Sequence, residues 1–150
     1  MSEILDTPLG RVAIETSGGL VKEVHLGARG LGDRPNTPVA RDLARYFSGE
    51  TVNFDDYEVD LTGFTDFQRR VYEETRAIPP GELRTYGEIA RAIGNPGASR
   101  AVGNALGRNP ACIVIPCHRV VAANGGLGGF TSGLRWKRDL LDLESTRPTK

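Results

Sequence analysis

The chain has 150 residues, a formal net charge of zero, 39% hydrophobic and 25% charged residues, and only two cysteines and two histidines. That length and composition fit one soluble domain, or two small ones sharing a core, and exclude a collagen-like or coiled-coil architecture. The longest apolar run, Ala111 to Ile115, is far too short to span a bilayer, and no basic segment followed by an apolar core opens the chain. Cys112, Cys117, His25 and His118 do not have the spacing of a structural zinc site, and two cysteines are no disulfide framework, so no metal and a cytoplasmic, reducing location are expected. The neutral total hides an asymmetry: residues 1–62 carry a net −5 and residues 63–150 a net +5. An anionic partner for the second half and a chance partition explain this equally well.

In chain order, residues 9–26 predict a hairpin, with Val12 and Ile14 alternating with polar neighbours and Ser17-Gly18-Gly19 as the turn. Gly27 to Pro38 reads as a loop. Val39, Leu43, Tyr46 and Phe47 fall at helical spacing, and Gly49 ends that helix. Thr51 to Leu61 is acidic and predicts a short strand and a connector. This first half shows no catalytic constellation and is expected to act as a scaffold.

The second half opens on Thr65-Asp66-Phe67-Gln68, a capping box. Phe67, Val71 and Tyr72 mark the buried side of the helix that follows, which ends before Pro79-Pro80-Gly81. A short helix over 85–93 and another over 99–106 flank the turn Gly94-Asn95-Pro96-Gly97, which is the order of a helix-turn-helix. Ala101, Val102, Ala105 and Leu106 are expected to face inward, and Ser99, Arg100, Gly103 and Asn104 outward. Gly103 costs roughly 1 kcal/mol of helix propensity against alanine, which fits a close approach by another helix or by a phosphate chain. In the final helix, Leu134, Trp136, Leu140, Leu141 and Leu143 are expected to form the apolar side, with Lys137 and Arg138 solvated. Residues 145–150 read as a frayed tail.

The densest chemistry lies in Asn109 to Val121. Pro116 holds Ile115 extended just before Cys117, so a thiol there can face a cavity from a fixed backbone. A free cysteine is mostly protonated at neutral pH, and a group must help remove its proton. His118 is adjacent in sequence, which alone does not bring the two side chains together.

Pro116-Cys117-His118-Arg119-Val120, with Asn109-Pro110 before it and the glycine-rich Asn124 to Gly133 after it, resembles the O6-alkylguanine-DNA alkyltransferases. The likeness extends to Pro79-Gly81, Tyr86-Gly87, Asn95-Pro96 and Arg100-Ala101-Val102-Gly103, covering most of 63–145. It continues more loosely through Thr7-Pro8-Leu9-Gly10 and Tyr46-Phe47-Ser48-Gly49-Glu50. The resemblance implies an α+β protein, with a small N-terminal α/β unit (hairpin or sheet plus helix, residues 1–62) and a helical, winged-helix-like C-terminal domain with the helix-turn-helix (residues 63–150). It implies that Cys117 accepts an alkyl group from O6 of guanine, once per molecule and without a cofactor. His118 would take the thiol proton through water, Glu144 would orient His118, Tyr86 would donate to a ring nitrogen, and Asn109 would hold the turns of the site. The carbonyls of Cys117 and Val120 would accept from the guanine amino group, the Thr131 amide would face O6, and Phe130 would wall the pocket where many members have tyrosine. Arg100 would fill the stack after base flipping, with Ala98, Ser99 and Gly103 as the small surface against the minor groove. The implied partner is duplex DNA containing O6-alkylguanine, bound by a monomer, with no membrane. Cys112 stands where some relatives have proline and is expected to be an inert buried thiol.

Two further readings come from other classes. A helix-turn-helix protein that binds lesions without catalysis has no need of the Cys117, His118, Glu144, Tyr86 and Asn109 set. A cysteine hydrolase needs an oxyanion hole that the sequence does not reveal.

Overall fold

The computed structural model describes residues 2–145, so the tail at 146–150 lies outside the described residues. Three strands, β1 (Ser2–Thr7), β2 (Gly10–Ser17) and β3 (Leu20–Leu26), form an antiparallel meander in the order β1-β2-β3. The expected hairpin is β2-β3, turning at Gly18 and Gly19, which both take positive φ. β1 was not expected. Its inward-facing residues are Glu3 and Leu5, so a carboxylate sits where the alternation needs an apolar residue. Buried Glu3 accepts from Thr37 N–H at 2.9 Å, from Thr37 Oγ1–H at 2.6 Å and from Asn36 N–H, tying β1 to the start of the first helix.

That helix, α1 (Pro38–Phe47), is capped by Thr37 and has proline in its first turn, where a missing N–H costs nothing. It lays Val39, Ala40, Leu43, Tyr46 and Phe47 into the core. The segment 51–61 is not a strand. Only Val59 bridges to Val21, with Val21 N–H donating to Glu58 O and Asp60 N–H to Val21 O. Buried Val52 and Phe54 anchor the segment, while its acidic residues hold the rest at the surface.

α2 (Asp66–Arg76) begins with the capping box of Thr65 and Gln68, both halves formed. It buries Val71, Tyr72 and Thr75, with Phe67 only half-buried. β4 (Arg84–Thr85) leads into α3 (Tyr86–Ala92), whose own capping box pairs Thr85 with Glu88. After the turn at 94–97, α4 (Ser99–Gly107) packs on α2 and α3, and Tyr72 Oη donates to Ala105 O at 2.6 Å. Val102, Ala105 and Leu106 face inward as expected. Ala101 is exposed, because a helix this short against two neighbours buries only a narrow stripe.

A 3₁₀ turn at Cys117–Arg119 runs into β5 (Val120–Val121), which pairs parallel with β4 beside the helix-turn-helix. α5 (Leu134–Ser145) closes the fold. One hydrophobic core runs from the meander through α1, α2, α3 and α4 to Leu140. Two backbone bonds join β3 to the segment 110–112, Val24 N–H to Pro110 O at 2.9 Å and Cys112 N–H to Val24 O at 3.3 Å. Trp136 of α5 lies against Gly10, where a Cβ would come within 2.7 Å of its ring.

Candidate active site

A cavity of about 730 Å³ opens between β3, α4 and the segment 129–132, and Cys117 lines its floor. The backbone delivers Cys117 there through a tight reversal. Asn109 clamps both ends of it, with Nδ2–H donating to Ile115 O at 2.8 Å and Oδ1 accepting from Ala111 N–H at 2.9 Å. At the apex, Ile113 has φ of +75°. A β-branched residue in that left-handed region costs roughly 1–2 kcal/mol, so the surrounding contacts over-determine the turn.

His118 and Glu144 lie behind the cysteine, both buried. Glu144 Oε2 is 2.6 Å from His118 Nε2. A carboxylate accepts, so Nε2 carries the proton and Nδ1 presents its lone pair. Nδ1 is buried without a hydrogen-bond partner among the described residues. Burial pushes the His118 pKa down and outweighs the opposing pull of Glu144, keeping the imidazole neutral and able to accept a proton. The imidazole hydrogen bonds to Glu144 and not to the Cys117 sulfur, as sequence adjacency alone left open.

Two partners of Glu144 were not expected. Arg119 donates to it twice, from Nε and Nη2, both at 2.9 Å, and from Nη1 to Ile78 O at 2.6 Å. Tyr46 Oη of α1 donates to Oε2 at 2.6 Å. Burial alone would raise the Glu144 pKa, but His118 and Arg119 together hold it well below the usual carboxylate range. Tyr46, in the first half of the chain, thus touches the same carboxylate that accepts from His118.

Lys137 corrects a further expectation. Its side chain is fully buried, not solvated. Nζ donates to Val120 O at 2.7 Å and Gly129 O at 3.2 Å, and lies 3.4 Å from Tyr86 Oη. Desolvation pushes its pKa down to about 8. Its position on α5 matches that of Leu140 and Glu144 one and two turns on, so the buried stripe of α5 is Lys137, Leu140 and Glu144. Leu134 is exposed, and Trp136, Leu141 and Leu143 are half-buried, so the expected leucine face is only partly realised. The Cys117 pKa is lowered, first by hydrogen bonding from the Cys112 thiol, then by Asn109 and by the charge of Lys137, against the opposing effect of burial. Cys112 is not fully buried; it lines the same cavity.

Tyr86 lines the cavity at the start of α3, with its hydroxyl 3.5 Å from Gly129 O, and burial raises its pKa. Gly128 has φ of +74°, and a Cβ there would lie 2.5 Å from Tyr86 Oη, so only glycine lets this segment close over the ring. Phe130 and Thr131 also line the cavity, and Thr131 Oγ1 donates to Gly107 O at 2.7 Å. The Val120 carbonyl lies outside the cavity lining and already accepts from Lys137. Ser99, Arg100 and Gly103 line the rim, whereas half-buried Ala98 caps α4 without touching the cavity. A Cβ on Gly103 would meet Tyr86 only at 3.8 Å, an ordinary contact, so internal packing does not demand glycine. Among the described residues no group of three or more His, Cys, Asp or Glu could hold a metal ion, and no helix is long and apolar enough to cross a membrane.

A sequence model of the 6-O-methylguanine DNA methyltransferase DNA-binding domain matches residues 66–146, more than half of the chain. The chain belongs to the O6-methylguanine-DNA methyltransferase family. It is 46% identical over 141 residues to a methylated-DNA--protein-cysteine methyltransferase of Mycolicibacterium paratuberculosis, covering 92% of this chain and 84% of the relative. A Mycobacterium bovis relative of the same name is 55% identical over 105 residues, 70% of this chain, and the match spans 62% of that relative's length. Among solved structures, Mycobacterium tuberculosis OGT in complex with DNA superposes with a TM-score of 0.86 at 40% identity, covering 97% of this chain and 93% of that one. Those structures share the mixed α+β architecture expected from the sequence.

Proposed function

We propose that the protein repairs DNA by direct reversal, transferring the alkyl group of O6-alkylguanine in duplex DNA to its own Cys117, once per molecule. The observation that carries the reading is a cysteine at the floor of an open cavity, backed by a buried imidazole whose unpartnered Nδ1 faces away from Glu144. His118 Nδ1 takes the thiol proton through a water molecule, and Glu144 fixes the tautomer and steadies the imidazolium as it forms. The thiolate attacks the alkyl carbon, the carbon–oxygen bond to O6 breaks, and the electron pair moves into the guanine ring. Tyr86 donates to a ring nitrogen as that charge develops, and the Lys137 ammonium beside its hydroxyl makes it a stronger donor. The thioether formed on Cys117 does not hydrolyse, which limits each molecule to one transfer and leaves no step for a cofactor.

A stacked base cannot reach this floor, so the nucleotide is flipped out of the duplex. Arg100 fills the gap from the rim, Gly103 and Ser99 offer a small surface to the groove, and Ala98 keeps the entry to α4 narrow. Phe130 walls the flipped base, the Thr131 amide faces O6, and the Cys117 carbonyl orients the amino group. The net +5 of residues 63–150 gives phosphates a counterpart. The protein works as a monomer, in the cytoplasm, with residues 1–62 as a supporting unit and 63–150 as the DNA-binding and acceptor unit. The DNA complex of the M. tuberculosis relative and the methyltransferase activity for which the M. paratuberculosis relative is named support this reading.

The test is intact mass after mixing with excess duplex carrying one O6-methylguanine. A single methyl gain on the peptide containing Cys117, absent in Cys117→Ser, is expected. Folded protein that binds the duplex without a mass change would favour recognition without catalysis, and release of product over many turnovers would favour a hydrolase.

A further inference from the structure

Cys112 takes no step in the transfer, yet it lines the same cavity as Cys117. The reversal held by Asn109 and by Ile115 N–H donating to Ala111 O at 2.9 Å places two cysteines, five positions apart, on one cavity wall. Cys112 pairs with Ile115 across the reversal, two positions before Cys117, and its thiol is first among the groups that lower the Cys117 pKa. Both thiols are free, and the cavity that they share opens to solvent past exposed Ser99 and Arg100. A cysteine that opens onto a solvent-connected cavity beside a second thiol is placed for oxidation to end at a disulfide and not at irreversible sulfur acids.

We propose that Cys112 is a resolving thiol, which joins Cys117 in a reversible intramolecular disulfide when the acceptor is oxidised by a hydroperoxide. The Cys117 thiolate attacks the O–O bond. A sulfur–oxygen bond forms, the O–O bond breaks, and the peroxide leaves as hydroxide or alkoxide, having gained the two electrons that sulfur loses. The Cys112 sulfur, on losing its proton, then attacks the sulfenic sulfur of Cys117. The S–S bond forms, the S–O bond breaks, and the departing hydroxide takes the proton as water. The disulfide occupies the acceptor and keeps it from the sulfinic and sulfonic states. For a protein that spends its only nucleophile in one reaction, that protects its whole capacity. The masking rests on the function proposed above, whereas disulfide formation does not.

The experiment treats the full-length protein with substoichiometric and then excess hydrogen peroxide and follows intact mass, peptide mapping and methyl transfer before and after dithiothreitol. Expected are a loss of two hydrogens, a crosslink between the peptides of Cys112 and Cys117, loss of transfer, and recovery of most of the starting transfer on reduction. Cys112→Ser and Cys112→Ala, each compared with its own untreated transfer, are expected to gain oxygen on Cys117 and to recover several-fold less. Oxygen gain on Cys117 in the unaltered protein, or crosslinked dimers in place of the internal bridge, would overturn the proposal. The mass readout needs no DNA, so a failed transfer assay and a failed disulfide are distinguishable.

Discussion

Replacing Glu144 by Gln keeps the shape of the side chain and removes its charge. Every neighbour of this carboxylate is a donor: His118 Nε2, two nitrogens of Arg119, and Tyr46 Oη. An amide turns one acceptor oxygen into an NH2 group that faces those donors, and it leaves the buried Arg119 guanidinium without a counter-charge. Breaking a buried pair from one side costs about 3–5 kcal/mol, a large share of the roughly 5–15 kcal/mol that hold a domain together. At about 2–4 °C per kcal/mol for a chain of this size, the melting temperature is expected to fall by roughly 10 °C. The imidazole also loses the acceptor that fixes its tautomer, so single-turnover methyl transfer is expected to slow by at least about 100-fold. The assay pairs urea unfolding with quenched single-turnover transfer, and repeats the unfolding across pH. The Glu144 pKa is depressed in the fold, so its stabilisation is full above the ordinary carboxylate value and is lost as pH falls through the lower folded value. The stability gap between the two proteins should therefore narrow in acid. A variant within about 1 kcal/mol of the parent at neutral pH, or a gap that stays constant down through the carboxylate range, would refute the reasoning.

Three other outcomes follow from the same geometry. Lys137→Met removes the donor to the Val120 and Gly129 carbonyls, at about 1–3 kcal/mol for each carbonyl left unpaired, and removes a cation that favours the Cys117 thiolate. The pH profile of iodoacetamide labelling at Cys117 should move to higher pH, and an unmoved profile would remove Lys137 from the site's electrostatics. The folded pKa of Lys137 is lowered to about 8, so burial penalises the charged form, and the penalty is relieved as pH rises from there towards the ordinary lysine value. Urea titrations should show the parent gaining on Lys137→Met over that window. Gly128→Ala forces a methyl against Tyr86 Oη at a positive φ, so a stability loss above about 1 kcal/mol and slowed transfer are expected; thermal melts and transfer rates together check this. Arg100→Ala should change stability by less than about 0.5 kcal/mol and slow transfer from duplex DNA, while leaving methylation by the free modified base unaltered. Equal losses on both substrates would show that Arg100 acts on chemistry and not on base extrusion.

Local signals determined what could be read directly from the chain. The cap at Thr65, the turns at 18–19 and 94–97, and the period of α1 each depend on residues within four positions of one another, so their positions follow from sequence. The Cys117-His118 block and Asn109 were legible because one short, unusual segment holds them. Tertiary structure alone decided the rest. Glu3 makes β1 read as a surface segment until Thr37 arrives from 34 residues away to accept its burial. Lys137 looks solvated by residue type, and becomes buried only because carbonyls 8 and 17 residues distant converge on its ammonium. Tyr46 reads as one more apolar position of α1, yet it reaches a carboxylate 98 residues on. Cys112 reads as an inert thiol, and it is the reversal at Ile113 that sets it on the same cavity as Cys117. In each case a polar group is buried against partners far along the chain. Hydropathy assigns such groups to water, and only the folded arrangement supplies the hydrogen bonds that replace it.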